Sequence, residues 1–337
     1  MEKILTVSIA AYNAEKFIRK ALDSLLIDDI DDVEIIVDND GGSDGTISIA
    51  KDFQKQYPDI ITIVEKENGG YGSVLNKNIE IARGKYFKQL DGDDYFDGEG
   101  FAALLKVLRK CDVDIVYTPF SSIKEESNET ELFDIFPGLN DGEFLFDEVV
   151  NKTSKKWIGM HASTFKTKLL RKSQLELPVK TLYTDSLYAM IPSMHAESIY
   201  ILHKNVYMYR IGRGEQSVSK SSRMRHYKDH ESVAILAAEY FDLFKGKLSE
   251  EKYKYFLEYV YILQKETVFN YILLNKDGKD ILNDFLGRLE KTDRDIYEYL
   301  LSNRKEIRNY IQNRNYGLLR LLSNKRVKKY VRLFSSR

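Results

Sequence analysis

The chain has 337 residues and a mass of 39.2 kDa, with 43% hydrophobic and 31% charged residues, an ordinary soluble globular balance with room for one large domain or a core domain plus a smaller one. A net charge of −1 excludes a global attraction to nucleic acid, and the single Cys111 excludes an internal disulfide framework and suits a reducing cytoplasm. Met1-Glu2-Lys3 runs straight into a strand pattern and no apolar run approaches a membrane span, so neither a secretory signal nor a transmembrane helix is expected.

Residues 4–10 are β-branched and bounded by Tyr12-Asn13, which predicts a buried strand with Asn13 as N-cap of a helix over 14–26. Val33-Glu34-Ile35-Ile36-Val37 predicts a second strand that discharges into Asp38-Asn39-Asp40-Gly41-Gly42-Ser43-Asp44-Gly45-Thr46, followed by a helix to about Gln56. A third strand over 60–64 leads to Asn68-Gly69-Gly70-Tyr71-Gly72, which opens a helix to Ala82. Tyr86 to Leu90 is a fourth apolar strand, and it ends in Asp91-Gly92-Asp93-Asp94. A helix over 99–110 and a strand Val113-Asp114-Ile115-Val116-Tyr117 follow. Alternation of this kind predicts a mostly parallel sheet covered by helices on both faces. Ligands of such sheets sit outside the carboxyl ends of the strands, where each of these polar clusters falls.

The acidic stretch carries the clearest chemistry. Once a strand ends the chain can curl, so Asp91 and Asp93 can converge, with Gly92 letting backbone approach a ligand. Two carboxylates so placed are hard ligands for Mg²⁺ or Mn²⁺ that also touches phosphate oxygens; a solvated Asp-Gly turn is the plain alternative. The glycines at 41–45 carry neither G-x-G-x-x-G nor a G-K-[ST] ending, which excludes a dinucleotide fingerprint and a P-loop. Asn68-Gly69-Gly70 at a helix start offers N–H groups suited to phosphate.

In order and spacing, Val7 to Asn13, Glu34 to Thr46, Asn68 to Gly84, Leu90 to Asp94, Thr184-Asp185, Val206 to Arg210 and Ser217-Val218-Ser219 resemble the family 2 glycosyltransferases, inverting enzymes of the Rossmann-like GT-A fold. The likeness covers about the first 220 residues. It implies an α/β GT-A domain over 1–220 that takes a nucleotide-sugar donor, usually a UDP-sugar, with Mn²⁺ or Mg²⁺. By the same resemblance Tyr12 stacks on the uracil beside Ala11, and Asp40 accepts a hydrogen bond from the base. Asn68, Gly69 and Asn76 line the donor, Asp93 ligates the metal, and Asp91 and Gly92 lie near ribose or a metal-bound water. Asp38 and Asp44 read as turn formers and caps. Leu75 stands where the family commonly has Arg, so Lys77 either takes over that Arg's interaction with the donor or the interaction is missing.

An inverting displacement needs a base for the acceptor hydroxyl and neutralisation of the leaving diphosphate. Asp185, in Tyr183-Thr184-Asp185-Ser186 before a helix over 187–194, falls where the family has its base, with Thr184 in place of the usual Glu; capping of that helix is the competing role. Glu125 to Glu131 reads as a polar loop. Trp157 and His161 fall where the family places acceptor-facing residues; core packing competes for Trp157, and His161 is either a further metal or substrate contact or a hydrogen-bonded structural histidine. Arg210 ends an alternating strand and is suited to a diphosphate or to a surface ion pair.

From about residue 221 to 337 the periodicity turns helical, with apolar stripes such as Val233, Ala237 and Phe241. Residues 304–337 hold 11 Lys or Arg against one acid, Glu306, interleaved with Leu, Val and Phe. That pattern suits either peripheral contact with an anionic membrane or an interface, including a homo-oligomer, whose charges face water. The acceptor expected from the resemblance is a glycan or lipid-linked glycan at the inner face of the cell membrane, in cell-surface polysaccharide or glycoconjugate synthesis. Two other classes stay open. A sugar nucleotidyltransferase shares the acidic pair but should show a G-x-G-T-R-like loop after its first strand. An inactive GT-A-like module used in assembly would not need Asp40, Asp91, Asp93 and Asp185 together.

Overall fold

A computed structural model describes residues 2–125, 127–153, 157–212 and 220–323. The chain divides into two compact units, Met1–Gln216 with Ser249–Lys252, and Ser217–Leu248 with Tyr253–Arg337. A short later segment is thus returned to the first unit.

The first unit begins with the alternation expected: β1 (Leu5–Ala11), α1 (Ile18–Asp23), β2 (Val33–Asp40), α2 (Thr46–Gln56), β3 (Ile61–Lys66), α3 (Tyr71–Ile81), β4 (Tyr86–Asp91), β5 (Tyr95–Phe96) and α4 (Gly98–Leu108). It continues through β6 (Ile115–Tyr117), β7 (Phe120–Lys124), β8 (Thr130–Phe133), β9 (Gly142–Leu145), α5 (Phe146–Val149), β10 (Ser163–Lys166), α6 (Thr167–Lys172), α7 (Asp185–Met194), β11 (Ser198–Ile201) and β12 (Tyr207–Ile211). An eight-stranded sheet has the order β3-β2-β1-β4-β10-β6-β11-β9. Its β3-β2-β1-β4 half is parallel, and β10 runs antiparallel between β4 and β6. The core strands are wholly buried, with Leu5, Val7, Ile9, Ile35 and Ile36 at 0% exposure, as a sheet covered on both faces requires. The chain leaves β1 outward to β2 and β3, then returns to place β4 on the other side of β1. That reversal makes a switch point at the carboxyl ends of β1 and β4, where Ala10 is level with Asp91.

Several local expectations are corrected. Asn13 is not an N-cap: its φ of 49° is left-handed, its Oδ1 accepts from Ser43 N at 2.9 Å, and the helix starts only at Ile18. Asp38 is not in a turn, because β2 runs on to Asp40 and buries Asp38 completely. The polar loop expected over 125–131 gives its last two residues, Thr130 and Glu131, to β8, which pairs antiparallel with β7, Ile123 opposite Thr130. That hairpin belongs to a second sheet that the sequence pattern did not reveal, of order β5-β12-β7-β8.

The second unit is helical, with α8 (Lys220–Arg225), α9 (Tyr227–Phe244), α10 (Glu250–Glu266), α11 (Gly278–Thr292), α12 (Arg294–Asn303), α13 (Lys305–Asn313) and α14 (Tyr316–Ser323). The predicted basic segment is two short helices over its first twenty residues, broken at left-handed Arg314 (φ 54°). Part of its apolar face is packed, with Ile307, Tyr310 and Leu319 buried, while Leu318 and Leu321 stay exposed. The remainder, with Val331, Leu333 and Phe334, lies outside the described residues, as does Ser217-Val218-Ser219.

Candidate active site

The switch point between β1 and β4 gathers most of the predicted residues. Ala11 is buried at the end of β1, and Tyr12 turns outward with 57% of its surface exposed, an open aromatic face at the mouth of the crevice. Asp40, at the end of β2, is 5% exposed and fully engaged. It accepts from Gly69 N at 2.9 Å and Gly70 N at 2.8 Å, and pairs with Lys66, whose Nζ also donates to Ser73 at 2.7 Å. Asp40 therefore orders the turn that starts α3, before any ligand is considered. Gly70 adopts φ 78° there, a conformation that favours glycine. Asn68 is exposed beside this turn. Asp44 accepts from the backbone N of Glu15 and of Thr46, at 3.0 and 3.1 Å, as a turn and helix-start residue should. The Asn76 amide exchanges two hydrogen bonds with the Leu177 backbone, at 2.8 and 3.0 Å, fastening residue 177 to α3.

The acidic stretch has a different internal division from the one its spacing suggested. Gly92 makes its close approach to protein rather than to a ligand, since a side chain there would meet Ala10 O at 2.9 Å and Ala11 Cα at 3.2 Å. Asp93 is half-buried. Asp94, to which the spacing gave no role, is buried, accepting from Tyr207 Oη and Arg210 N, both at 2.8 Å. Tyr207 Oη also accepts from Asp91 N at 3.1 Å, so β12 ties the two acids together. Side-chain ligand atoms of Asp91, Asp94 and His161 all lie within 4.8 Å of one another. Burial, then the charge of Asp93, raises the Asp91 carboxyl to about 7; burial, then Asp91, holds Asp94 well above the usual range. Asp91 Oδ1 is buried without a hydrogen-bond partner. His161 is caged by Phe120 (centroids 5.0 Å), Tyr207 (4.7 Å) and Tyr209 (4.6 Å), and burial with the nearby Lys88 lowers its pKa to about 3. It thus stays neutral, with a lone pair available. Two carboxylates, a neutral imidazole and an orphaned buried oxygen fit a divalent cation such as Mn²⁺ or Mg²⁺.

Opposite this group lies the loop that carries Asp185. Lys180 N donates to Gly69 O at 2.5 Å, and Lys180 and Tyr183 both take left-handed φ, 52° and 67°. That strained path delivers Asp185 to the first position of α7, where burial raises its carboxyl pKa. Its charge is close enough to contribute to the upward push on Asp91. Thr184 occupies the cap position without a side-chain capping bond. Tyr71 is within reach of both charges: its pKa is raised well above the usual value by burial, then by Asp91 and Asp185, and its hydroxyl contacts Met160 Sδ. Trp157 is half-buried three residues before Met160. Arg210 does not present a bare guanidinium. It pairs with Glu125 at 3.2 Å and lies over Phe17 and Tyr95, each at 5.2 Å, so the ion-pair alternative is the arrangement seen.

Asp94 and the aromatic cage were missed because their partners come from β7 and β12, more than twenty residues away in sequence; the third acid in the Asp91-Gly92-Asp93-Asp94 run was the available signal.

Fold and site together define a glycosyltransferase of the GT-A architecture. The chain belongs to glycosyl transferase family 2, whose sequence model matches residues 6–176. Among curated relatives, the glycosyltransferase GlyA of Streptococcus pneumoniae is 27% identical over 233 residues, covering 66% of this chain and 32% of that protein. The uncharacterized glycosyltransferase EpsJ of Bacillus subtilis is 37% identical over 116 residues, covering 34% and 33%. The matched region thus spans about a third of each of these two relatives. Among solved structures, S. aureus TarS residues 1–349 in complex with UDP-GlcNAc superposes with a TM-score of 0.72 at 18% identity, covering 98% of this chain and 92% of that one. The mannosyltransferase PcManGT of Pyrobaculum calidifontis, in complex with GDP-Man and Mn²⁺, gives a TM-score of 0.56 at 18% identity, covering 96% and 85%.

Proposed function

We propose that the chain transfers a sugar, with inversion, from a UDP-sugar to a hydroxyl of a glycan or lipid-linked glycan, in cell-surface polysaccharide or glycoconjugate synthesis. The observation that carries the reading is the convergence of Asp91, Asp94 and His161 at the switch point, with the charge of Asp185 close enough to act on Asp91. The exposed Tyr12 ring supplies a stacking platform for a base. Asp91 and Asp94, with His161 and the adjacent Asp93, would hold a divalent cation, which would supply neutralisation of the leaving diphosphate. Asp185 accepts the acceptor's hydroxyl proton while that oxygen bonds to the anomeric carbon. The bond to the diphosphate breaks on the opposite side, and its electron pair departs with the diphosphate. The Asp40–Lys66 pair keeps the donor turn rigid, so that less ordering accompanies binding.

TarS in complex with UDP-GlcNAc, and PcManGT with GDP-Man and Mn²⁺, support a nucleotide-sugar and metal reading, and the chondroitin synthase of Escherichia coli, 32% identical over 126 residues, supports a polysaccharide product. The experiment is a screen of UDP- and GDP-sugars for nucleotide release with Mn²⁺, Mg²⁺ or chelator. UDP release from one donor, abolished by chelator and by Asp91→Asn, is expected. Release only from GDP-sugars would overturn the UDP assignment, and release that ignores chelator would overturn the metal assignment.

A further inference from the structure

Lys88 is fully buried on β4, three residues before Asp91, and no carboxylate pairs with it among the described residues. Its Nζ donates to His161 O at 3.1 Å and Ser163 O at 3.2 Å, and lies 5.7 Å from the Phe96 ring. Burying an ammonium without a counter-charge is unfavourable, and burial lowers its pKa to about 7. A Met or Leu would fill the site without that cost, so stability alone does not account for the lysine.

What the lysine does is local. Residues 159–163 form a 3₁₀ turn leading into β10, and their carbonyls each have a donor. Gly159 O accepts from Ala162 N and Ser163 Oγ, Met160 O from Ser163 N, and Ala162 O from Thr118 N. The remaining two, of His161 and Ser163, are served by Lys88 at the point where pairing of β10 with β4 has not yet begun. The aromatic cage constrains the imidazole ring; the backbone beneath it is held by this ammonium.

We propose that Lys88 is a positioning residue, whose buried ammonium fixes the 160–163 backbone so that the His161 ring stays beside Asp91 and Asp94. This rests on the reading of those three side chains as the donor-side cation site. The test uses the full chain with Lys88→Met, which removes the donors and keeps the volume. Three quantities are measured: thermal stability without metal, the His161 ring signals by NMR, and UDP affinity by calorimetry with and without Mn²⁺. With five histidines in the chain, His161 is assigned by comparison with His161→Gln.

Expected are an unchanged or higher Tm, a shifted and broadened His161 signal, metal-free UDP affinity within twofold, and a Mn²⁺ enhancement at least tenfold smaller. A folded variant with the wild-type His161 signal overturns the proposal, as does one with the full Mn²⁺ enhancement. Should Lys88→Met fail to fold, Lys88→Gln keeps one donor; loss of fold in that variant as well makes the lysine purely structural and equally overturns it. If the wild type shows no Mn²⁺ enhancement, the cation reading of the site fails, while the His161 signal still decides the role of Lys88.

Discussion

Asp185 combines two environments that pull against each other. Burial raises its carboxyl pKa, whereas the N–H groups of Ser186 and Asp185 itself, at the start of α7, favour the charged form. The net displacement is upward, which suits a base that must hold a proton during the reaction. Asp185→Asn should lower turnover by about 10²–10⁴-fold while donor affinity stays within about twofold, because the change is on the acceptor side. A base acts deprotonated, so wild-type turnover should rise with pH through a step above the ordinary carboxylate pKa of 3.8. A pH–rate profile of the variant should lack that step; its retention would assign the step elsewhere. At this scale the sequence was legible for the places of Asp91 and Tyr12 at strand ends and of Asp185 at the start of a helix, because strand and turn signals flank them. It was not legible for Asn76 or Arg210, whose partners Leu177 and Glu125 lie about a hundred residues or eighty-five residues away.

Elements were readable where burial on both faces forces β-branched runs, as in β1 and β2, and where Gly and Asp clusters end them. The second sheet was not: of its strands only β12 showed an alternating pattern, and its partners β5, β7 and β8 are two to five residues long, too short for a period to declare itself. β2 also hid a conflict. Its Asp38 looked like part of an acidic turn, yet lies inside the sheet between Ala10 of β1 and Val64 of β3 with neither carboxyl oxygen hydrogen-bonded. Burial raises its pKa from 3.8 to about 7. The folded state therefore binds more protons than the unfolded chain between those values, and stability falls as pH rises from about 4 through about 7. Asp38→Asn stays neutral and escapes that loss. It should be more stable than wild type by about 1–4 kcal/mol at pH 8 and nearly equal below pH 4, measured by urea denaturation at both. Equal stability at pH 8 would show that Asp38 ionises without strain.

For the whole molecule, the proposed lipid-linked acceptor raises the question of how it would be reached when no described helix is long and apolar enough to cross a membrane. The packed Ile307, Tyr310 and Leu319 tie α13 and α14 to the helical unit, and Tyr310 Oη bonds Asn283 at 2.8 Å. We propose that any peripheral contact is made by the basic residues that follow in the sequence, Lys325, Arg326, Lys328, Lys329, Arg332 and Arg337. Each contributes about 1 kcal/mol near an anionic leaflet. The full chain should sediment with phosphatidylserine liposomes at low salt and release as salt rises. A chain ending at Ser323 keeps the packed helices and should stay in the supernatant. Equal sedimentation of both would remove the tail from that role.

Trp157 stands three residues before Met160 and four before His161, and it is the one tryptophan in 337 residues. Its emission therefore reports on a single address. Half-buried, it senses the polarity of the segment that leads to the cation-side imidazole. Donor, metal and acceptor can then be titrated separately against an optical signal native to the chain, and the order in which they bind becomes a measurement that needs no label and no turnover.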